Sequence, residues 1–287
     1  YGIAFTGPNR SYGTKFVPIE PSPIQCSMMN TTPCQTSTRG PQRIVCLSTE
    51  AVDVLYRLNQ QHKVVGISGF SVHPPKARRE KPKVSAYTSA KIERILALKP
   101  DLVVGFSDLQ ADLMATLVRA GLEVHVFNQR TIEGIVSFIL ALGQMVGAHA
   151  AAKELVMQID QHLAAVASQR RPNHRPRVYF EEWDEPMICG IEWVSELIEW
   201  AGGVDVFADK ARGPGAQDRL IDHPQQVIDA DPEIIIGSWC GKKFKPERVV
   251  ARPGFDQISA VQCGRLHEIK SANILQPGPT TLLDGLN

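Results

Sequence analysis

The sequence predicts an α/β protein: two Rossmann-like parallel-sheet lobes joined by a single long α-helix, with a ligand cleft between the lobes. Three observations predict it. Strand and helix patterns alternate with short links in two separate stretches. An Ala-rich helical stretch with no strand pattern lies between them. A phrase also recurs: "KIERILALKPDLVVGFSDL" (91–109) is echoed by "QQVIDADPEIIIGSWC" (225–240), each reading helix, proline and acid, buried strand, glycine. Pro100 and Gly105 lie 132 positions before Pro232 and Gly237, and Arg43-Ile44-Val45 lies 134 before Arg177-Val178-Tyr179, so the order and nearly the offset are kept.

Taken in order, residues 1–42 are rich in Pro, Ser, Thr and Gly and read as disordered. They show no apolar core flanked by positive charge, the mark of a secretion signal. Cys26, after Pro23-Ile24-Gln25, is a poor match to a lipoprotein cleavage site, and Met28 and Met29 are the first candidate starts. The first lobe is placed at 43–147, the linking helix at 148–171 and the second lobe at 172–287. "RIVCLS" (43–48) is a short apolar strand. "TEAVDVLYRLN" (49–59) has helical spacing at Val52, Leu55, Tyr56 and Leu58, with Ser48 or Thr49 as N-cap. "KVVGIS" (63–68) is a strand, and 74–89 reads as a polar, proline-bearing loop. The helix bearing Ile92, Ile95, Leu96 and Leu98 stops before Pro100. "DLVVGF" (101–106) is apolar throughout, as a strand covered on both faces should be. A helix ending at Gly121 and the strand "EVHVFN" (123–128) complete the lobe.

"TIEGIVSFILALGQMVG" and "AHAAAKELVMQIDQHLAAVASQRR" follow as helices. At about 1.5 Å per residue the second spans roughly 30 Å, the width of a small domain. The alternation then restarts with "RVYFEEW" (177–183), the helix "WVSELIEWAGG" (193–203), "QQVIDA" (225–230), the buried strand "PEIIIGSW" (232–239) and a last strand "LHEIKS" (266–271). Pro279-Thr280-Thr281 starts a helix that is barely begun, which predicts a truncated final helix and a second-lobe core left partly uncovered.

A net charge of +1 gives no signal for nucleic acid, and the six cysteines form no CxxC pair for zinc or redox chemistry. Cys46 and Cys189 sit in apolar strands and read as buried thiols. No apolar run reaches the roughly 18 residues a membrane span needs. The eight histidines are scattered and give no ligand pair, so no intrinsic cofactor or metal is expected. "FEEWDEP" (180–186) stands out, with Glu181, Glu182, Asp184 and Glu185 at the end of a buried strand. Such a run binds a cation or a basic ligand group, holds a carboxyl with a raised pKa, or forms a solvated loop face. Its spacing fits no calcium loop.

Ligands of open parallel sheets bind outside the carboxyl ends of the strands, so two facing lobes make a cleft between those ends. A helical linker resists bending, which argues against large hinge closure. "VVGISGFSVHPPKARREKPKVSAYTSAKIERILALKPDLVVGFSD" resembles the first lobe of the helical-backbone (class III) substrate-binding proteins of ABC importers, most nearly the vitamin B12-binding members of this iron-siderophore, haem and cobalamin family. The resemblance covers roughly 43–283 and is strongest over 43–147.

It implies a monomeric, periplasmic protein that binds cobalamin or another metal chelate as transported ligand and delivers it to an ABC permease–ATPase complex. It places ligand contacts at Ser48, Thr49, Glu50, Phe70, Ser71, Tyr87, Ser107, Asp108, Asn128 and Arg130 in the first lobe. In the second it places them at Glu181, Glu182, Trp183, Trp193, Trp239 and Lys270. Aromatic faces and a few polar groups suit a large, flat, partly polar ligand. Local readings compete: Tyr87 as loop packing, Ser48 and Thr49 as helix caps, Trp193 and Trp200 as core. The resemblance also implies that one acidic residue per lobe docks on transporter arginines. Glu93 matches the first position, but Gln225 occupies the second, and an amide forms no such ion pair; Asp222 and Asp229 are neighbouring substitutes. Two other functions stand beside this one: a cytoplasmic binding or sensing protein of the same fold, and an enzyme using Glu181 or Glu182 as acid/base. Against the enzyme, no nucleophile–base pairing, Gly-rich phosphate loop or metal motif is visible.

Overall fold

The computed structural model describes residues 40–86, 88–170 and 173–286. The first lobe runs β1 (Ile44–Cys46), α1 (Thr49–Arg57), β2 (Val64–Ser68), α2 (Pro75–Glu80), β3 (Lys83–Ser85), α3 (Ile92–Ala97), β4 (Leu102–Phe106), α4 (Ala111–Arg119) and β5 (Val124–Phe127). Helices α5 (Ile132–Met145) and α6 (His149–Ser168) follow. The second lobe contains β6 (Arg177–Asp184), β7 (Met187–Cys189), α7 (Glu192–Trp200), β8 (Val204–Asp205), α8 (Ala208–Ala211), α9 (Gln225–Ala230) and β9 (Ile234–Gly237). It continues through α10 (Pro246–Val250), α11 (Ser259–Gln262), β10 (Leu266–Glu268), α12 (Ser271–Ile274) and α13 (Pro279–Leu283).

The first sheet has the order β3-β2-β1-β4-β5, all parallel. β4 is buried at every position, as its unbroken apolar run requires. The second sheet has the order β10-β9-β6-β7, with β8 beside the start of β6. Its β7 is antiparallel to β6, because the Glu185-Pro186 turn sends the chain straight back. At 20 residues, α6 is the long helix expected between the lobes and spans about 30 Å.

The recurring phrase builds the same joint twice. Lys99 and Asp231, with φ of 46° and 40°, turn the chain out of α3 and α9 directly before Pro100 and Pro232. A residue before proline is pushed away from the helical region, so each helix must end here. Arg43 Nε then donates to the Leu98 and Lys99 carbonyls at 3.2 and 3.0 Å, and Arg177 Nε donates to the Asp231 carbonyl at 2.8 Å. A guanidinium on the last carbonyls of a helix satisfies groups that the helix leaves open. The acid after each proline completes the joint. Asp101 accepts from the Gln42 and Arg43 N–H groups at 2.7 and 2.8 Å, and Glu233 accepts from the Arg177 N–H at 3.0 Å. Each joint thus ties the start of one strand to the helix that feeds its neighbour.

The repeated glycines have one cause. A Cβ on Gly105 would lie 2.3 Å from Met114 Cε, and one on Gly237 would lie 1.9 Å from Phe244 Cδ2. In each lobe the next segment lays a side chain across the strand where the glycine leaves room.

Three departures from the sequence reading stand out. The stretch 74–89 is not all loop: Pro75 opens α2, where the missing N–H costs nothing, and β3 pairs with the sheet through Gly69 N–H to Ser85 O at 2.8 Å. Residues 1–39 of the lead lie outside the described residues, but 40–42 are held, with Gln42 bonded to Asp101. Finally, α13 does not cover the second lobe. It packs on α1, where the Asp53 carboxylate accepts from Thr280 N–H and Oγ1 at 2.9 and 2.8 Å, and Leu282 is buried in the cluster that holds Val52 and Leu55. That cluster continues through α5, α6 and α7 to Val178, Phe180 and Trp193, so both lobes share one apolar core.

Gly237→Ala is expected to destabilise the fold by about 3 kcal/mol, because the Phe244 ring is part of the buried core, whereas Gly105→Ala should cost nearer 1 kcal/mol because the Met114 tip can swing aside. Urea unfolding of the two variants checks the difference; equal losses would refute it.

Candidate ligand-binding cleft

Segments that follow the carboxyl ends of the two sheets meet. His73, beyond the end of β2, contacts Asn273, beyond the end of β10, with 3.1 Å between Nε2 and Oδ1. Gln129, beyond the end of β5, donates to the Pro277 carbonyl at 2.9 Å. On one flank Glu196 of α7 accepts from the Ile132 N–H at 2.6 Å. A carboxylate there complements the partial positive charge at the start of α5, whose N-cap Thr131 accepts from the Gly134 N–H at 2.9 Å. Burial raises the Glu196 pKa, and Glu192 and Glu199 add like charge, against the Ile132 N–H that opposes them.

Within the first lobe the expected residues separate into two groups. Phe70 is 53% exposed after β2, and exposed Asp108 and Asn128 with half-buried Arg130 follow β4 and β5, with Arg130 Nη2 on Asp108 Oδ1 at 3.3 Å. These can meet a ligand. Ser48, Thr49, Glu50, Ser71 and Ser107 are buried and present almost no surface to the gap. The reason is local: α1 starts directly at the end of β1 and draws Ser48 to Glu50 inward, although Ser48 occupies the N-cap without bonding its side chain there. Ser107 caps the following turn by accepting from Leu109 N–H at 3.4 Å. Tyr87 lies outside the described residues. Leu109, 60% exposed beside Asp108, belongs to this rim, and the sequence reading missed it.

Three of the four acids in the second lobe's acidic run are paired with cations of the fold, while Glu185 stays exposed. Glu181 is fully buried and is gripped by Arg252, with Nη2 to Oε1 at 3.0 Å. It also accepts from Tyr179 Oη at 3.0 Å and Trp239 Nε1 at 2.9 Å. Glu182 pairs with buried Arg219, the second contact being 3.2 Å. Asp184 bonds Lys242 and meets Arg248 at 2.7 Å. Burial works against the Asp184 anion, but the bond and charge of Lys242 and the charge of Arg248 hold its pKa below the usual carboxylate value. The acids answer bases some 35 to 70 positions downstream, a pairing that only the fold brings together. Among the described residues no group of three or more His, Cys, Asp or Glu is placed to hold a metal ion.

These pairings decide what the second lobe shows. Trp239 is 1% exposed and Trp193 3%, so neither lines the gap: Trp239 is held by Glu181 and meets Phe244 edge to face, while Trp193 donates to the Ile274 carbonyl at 2.9 Å. Trp183 is half-buried, its Nε1 donating to the Glu185 carbonyl at 2.8 Å and its ring lying 3.9 Å from Lys242 Nζ. Lys242, with exposed Cys240 and Lys270, completes the second face. The "GKK" after Trp239 was the available signal for Lys242. For the expected docking pair, Glu93 is exposed in the first turn of α3, and Gln225 is exposed on α9 with its amide donating to Asp229 Oδ1 at 2.8 Å.

A family profile described as "Periplasmic binding protein" matches residues 44–272. A vitamin B12-binding protein of Vibrio parahaemolyticus is 28% identical over 249 residues, covering 84% of this chain and 86% of its own. A cobalamin-binding protein of Halobacterium salinarum is 26% identical over 271 residues, covering 88% of this chain and 71% of its own. Among solved structures, a periplasmic haem-binding protein of Roseiflexus sp. RS-1 superposes with a TM-score of 0.72 at 22% identity, covering 86% of this chain and 97% of that one. The periplasmic vitamin B12-binding protein of Vibrio cholerae does so with 0.68 at 24%, covering 86% and 95%.

Glu181→Gln is expected to cost about 3–5 kcal/mol, because it strands Arg252 in a buried site, while Glu181→Leu combined with Arg252→Met should cost less than the sum of the two single changes. Denaturant unfolding of Glu181→Gln, of the two single changes and of the double variant measures the loss and the coupling; additive losses in the last three would show that the pair does not interact.

Proposed function

The chain belongs to the periplasmic binding protein family, and we propose that it is a non-catalytic binder of a corrinoid or related metal chelate, which it captures between its lobes for delivery to an ABC importer. One observation carries this reading. Segments beyond the strand ends of the two lobes meet at His73 and Asn273, and these ends carry exposed Phe70 in the first lobe and Trp183 with Lys242 in the second. Flat aromatic area on both faces suits a planar macrocycle, and Lys242, Arg130 and Asp108 supply polar contacts for its substituents. The vitamin B12- and cobalamin-binding relatives support a corrinoid, and the haem-binding neighbour supports the wider chelate class.

Delivery requires a docking face. Glu93 on α3 is one half of it. On α9 the carboxylate of Asp229, bonded to the Gln225 amide, supplies the charge that Gln225 lacks, since Asp222 is engaged with Lys210 at 3.4 Å. The protein acts as a monomer in the periplasm in this reading. Gln225 favours a second reading, a binder of the same fold that serves in the cytoplasm without an importer; fractionation of cells producing the protein separates the two.

Incubation with cobalamin, cobinamide, haemin and a ferric siderophore, followed by gel filtration and absorbance, is expected to leave one chelate class on the protein. Trp183→Ala and Phe70→Ala should each weaken that binding by about 1–3 kcal/mol, roughly five- to a hundred-fold. Retention of no chelate would overturn the proposal.

A further inference from the structure

The segment from β10 onward crosses back from the second lobe to the first and is seated there at four points. Asn273 meets His73, Pro277 accepts from Gln129, Thr280 bonds Asp53, and Gly278 lies against Glu50. The last point leaves no room for a side chain: a Cβ on Gly278 would lie 2.7 Å from Glu50 Cβ. Glu50 sits in the first turn of α1, is 4% exposed, and forms no ion pair among the described residues. Thr49 Oγ1 donates to its Oε2 at 3.1 Å, and its Oε1 has no hydrogen-bond partner among the described residues.

We propose that residues 271–283 form a pH-sensitive strap between the lobes, with the buried Glu50, whose Cα and Cβ lie against Gly278, as its latch. A buried carboxyl with an unpartnered oxygen is tolerated when protonated and costly when ionised.

Among the described residues no cation pairs with the Glu50 carboxylate. On α1 itself, Asp53 and Arg57 are bonded to each other at 2.9 Å and to Thr280. From β1, the Cys46 thiol faces it, kept protonated by burial first and by the Glu50 charge second, with Lys81 opposing. From α13, Asp284 turns to Arg57 at 3.7 Å. From the β2 end, His73 is on Asn273, and from the β5 end, Arg130 is on Asp108. The strap residues 274–279 carry no titratable side chain.

Burial raises the Glu50 pKa from 4.5 to about 7, against partial offset by its own and Thr49's backbone and by the Thr49 and Ser48 hydroxyls. The sign follows from linkage. Between pH 4.5 and 7 the seated strap keeps the proton and the lifted strap releases it. Raising the pH through that window therefore favours lifting. Below it both states are protonated, above it both are ionised, and the dependence ends.

Hydrogen–deuterium exchange of peptides covering 271–286, corrected for intrinsic exchange rates and compared with β4 peptides at pH 5.0, 6.0, 7.0 and 8.0, tests the strap without any ligand. The wild-type strap is expected to open roughly ten- to a hundred-fold more between pH 5 and 7 and to level off by pH 8. Glu50→Gln should hold the acid-side protection at every pH. Gly278→Ala should raise exchange at every pH, and serves if Glu50→Gln does not fold. His73→Gln should keep the wild-type slope. A strap whose exchange does not change with pH relative to β4, a slope that survives in Glu50→Gln, or a slope lost in His73→Gln would overturn the proposal.

Discussion

One apolar cluster common to both lobes sets the geometry on which the cleft depends. Val52 and Leu55 of α1, Phe138 and Leu142 of α5, Leu155 and Ile159 of α6, and Phe180, Trp193 and Leu197 of the second lobe pack into a continuous body. Each large side chain of this kind contributes about 1.5–3 kcal/mol when removed from water, so separating the lobes would expose far more apolar surface than a small ligand could offset. The gap between the strand ends is thus a feature of a packed core rather than of a flexible join. The carboxylate of Glu196 on the first N–H of α5 and the contact between His73 and Asn273 hold its rims.

How much of this was legible depended on whether the cause was local. The duplicated phrase was readable because its parts act over a few residues: a proline that must end a helix, an acid that follows it, a glycine that leaves room in a strand. The structure shows why the copies match, since Arg43 and Arg177 close equivalent joints onto equivalent carbonyls. The strand at 102–106 and the helices at 132–145 and 149–168 were legible for the same reason. The returning α13 was not. Its five residues carry too little pattern to say what they cover, and its anchor, Asp53, lies 227 positions away.

The cleft divides along the same line. Exposed residues directly after the strands, such as Phe70, Asp108 and Asn128, follow from chain order alone. The acidic run could not be read because its meaning is tertiary. Glu181, Glu182 and Asp184 look like ligands until Arg252, Arg219, Lys242 and Arg248 are brought to them. The same pairing withdraws Trp239 into the core and leaves Trp183, two residues past Glu181, as the aromatic surface. A break in the alternation along β6 accounts for that choice. Glu181 faces the buried side that holds Tyr179, and the irregular register opposite Glu181 and Trp183 turns the latter outward.

The placement of α13 has a consequence for how the protein assembles. The first lobe's α1 is completed by the last helix of the described chain, so neither lobe contains all of its own core. Synthesis from the ribosome would leave the flank of α1 bare until residues 279–283 emerge, and the first lobe would wait, nearly finished, for the end of the second. The two lobes look like repeats in sequence, but they cannot be separated into halves that fold alone, and a cut within α6 would yield two fragments each lacking a piece held by the other.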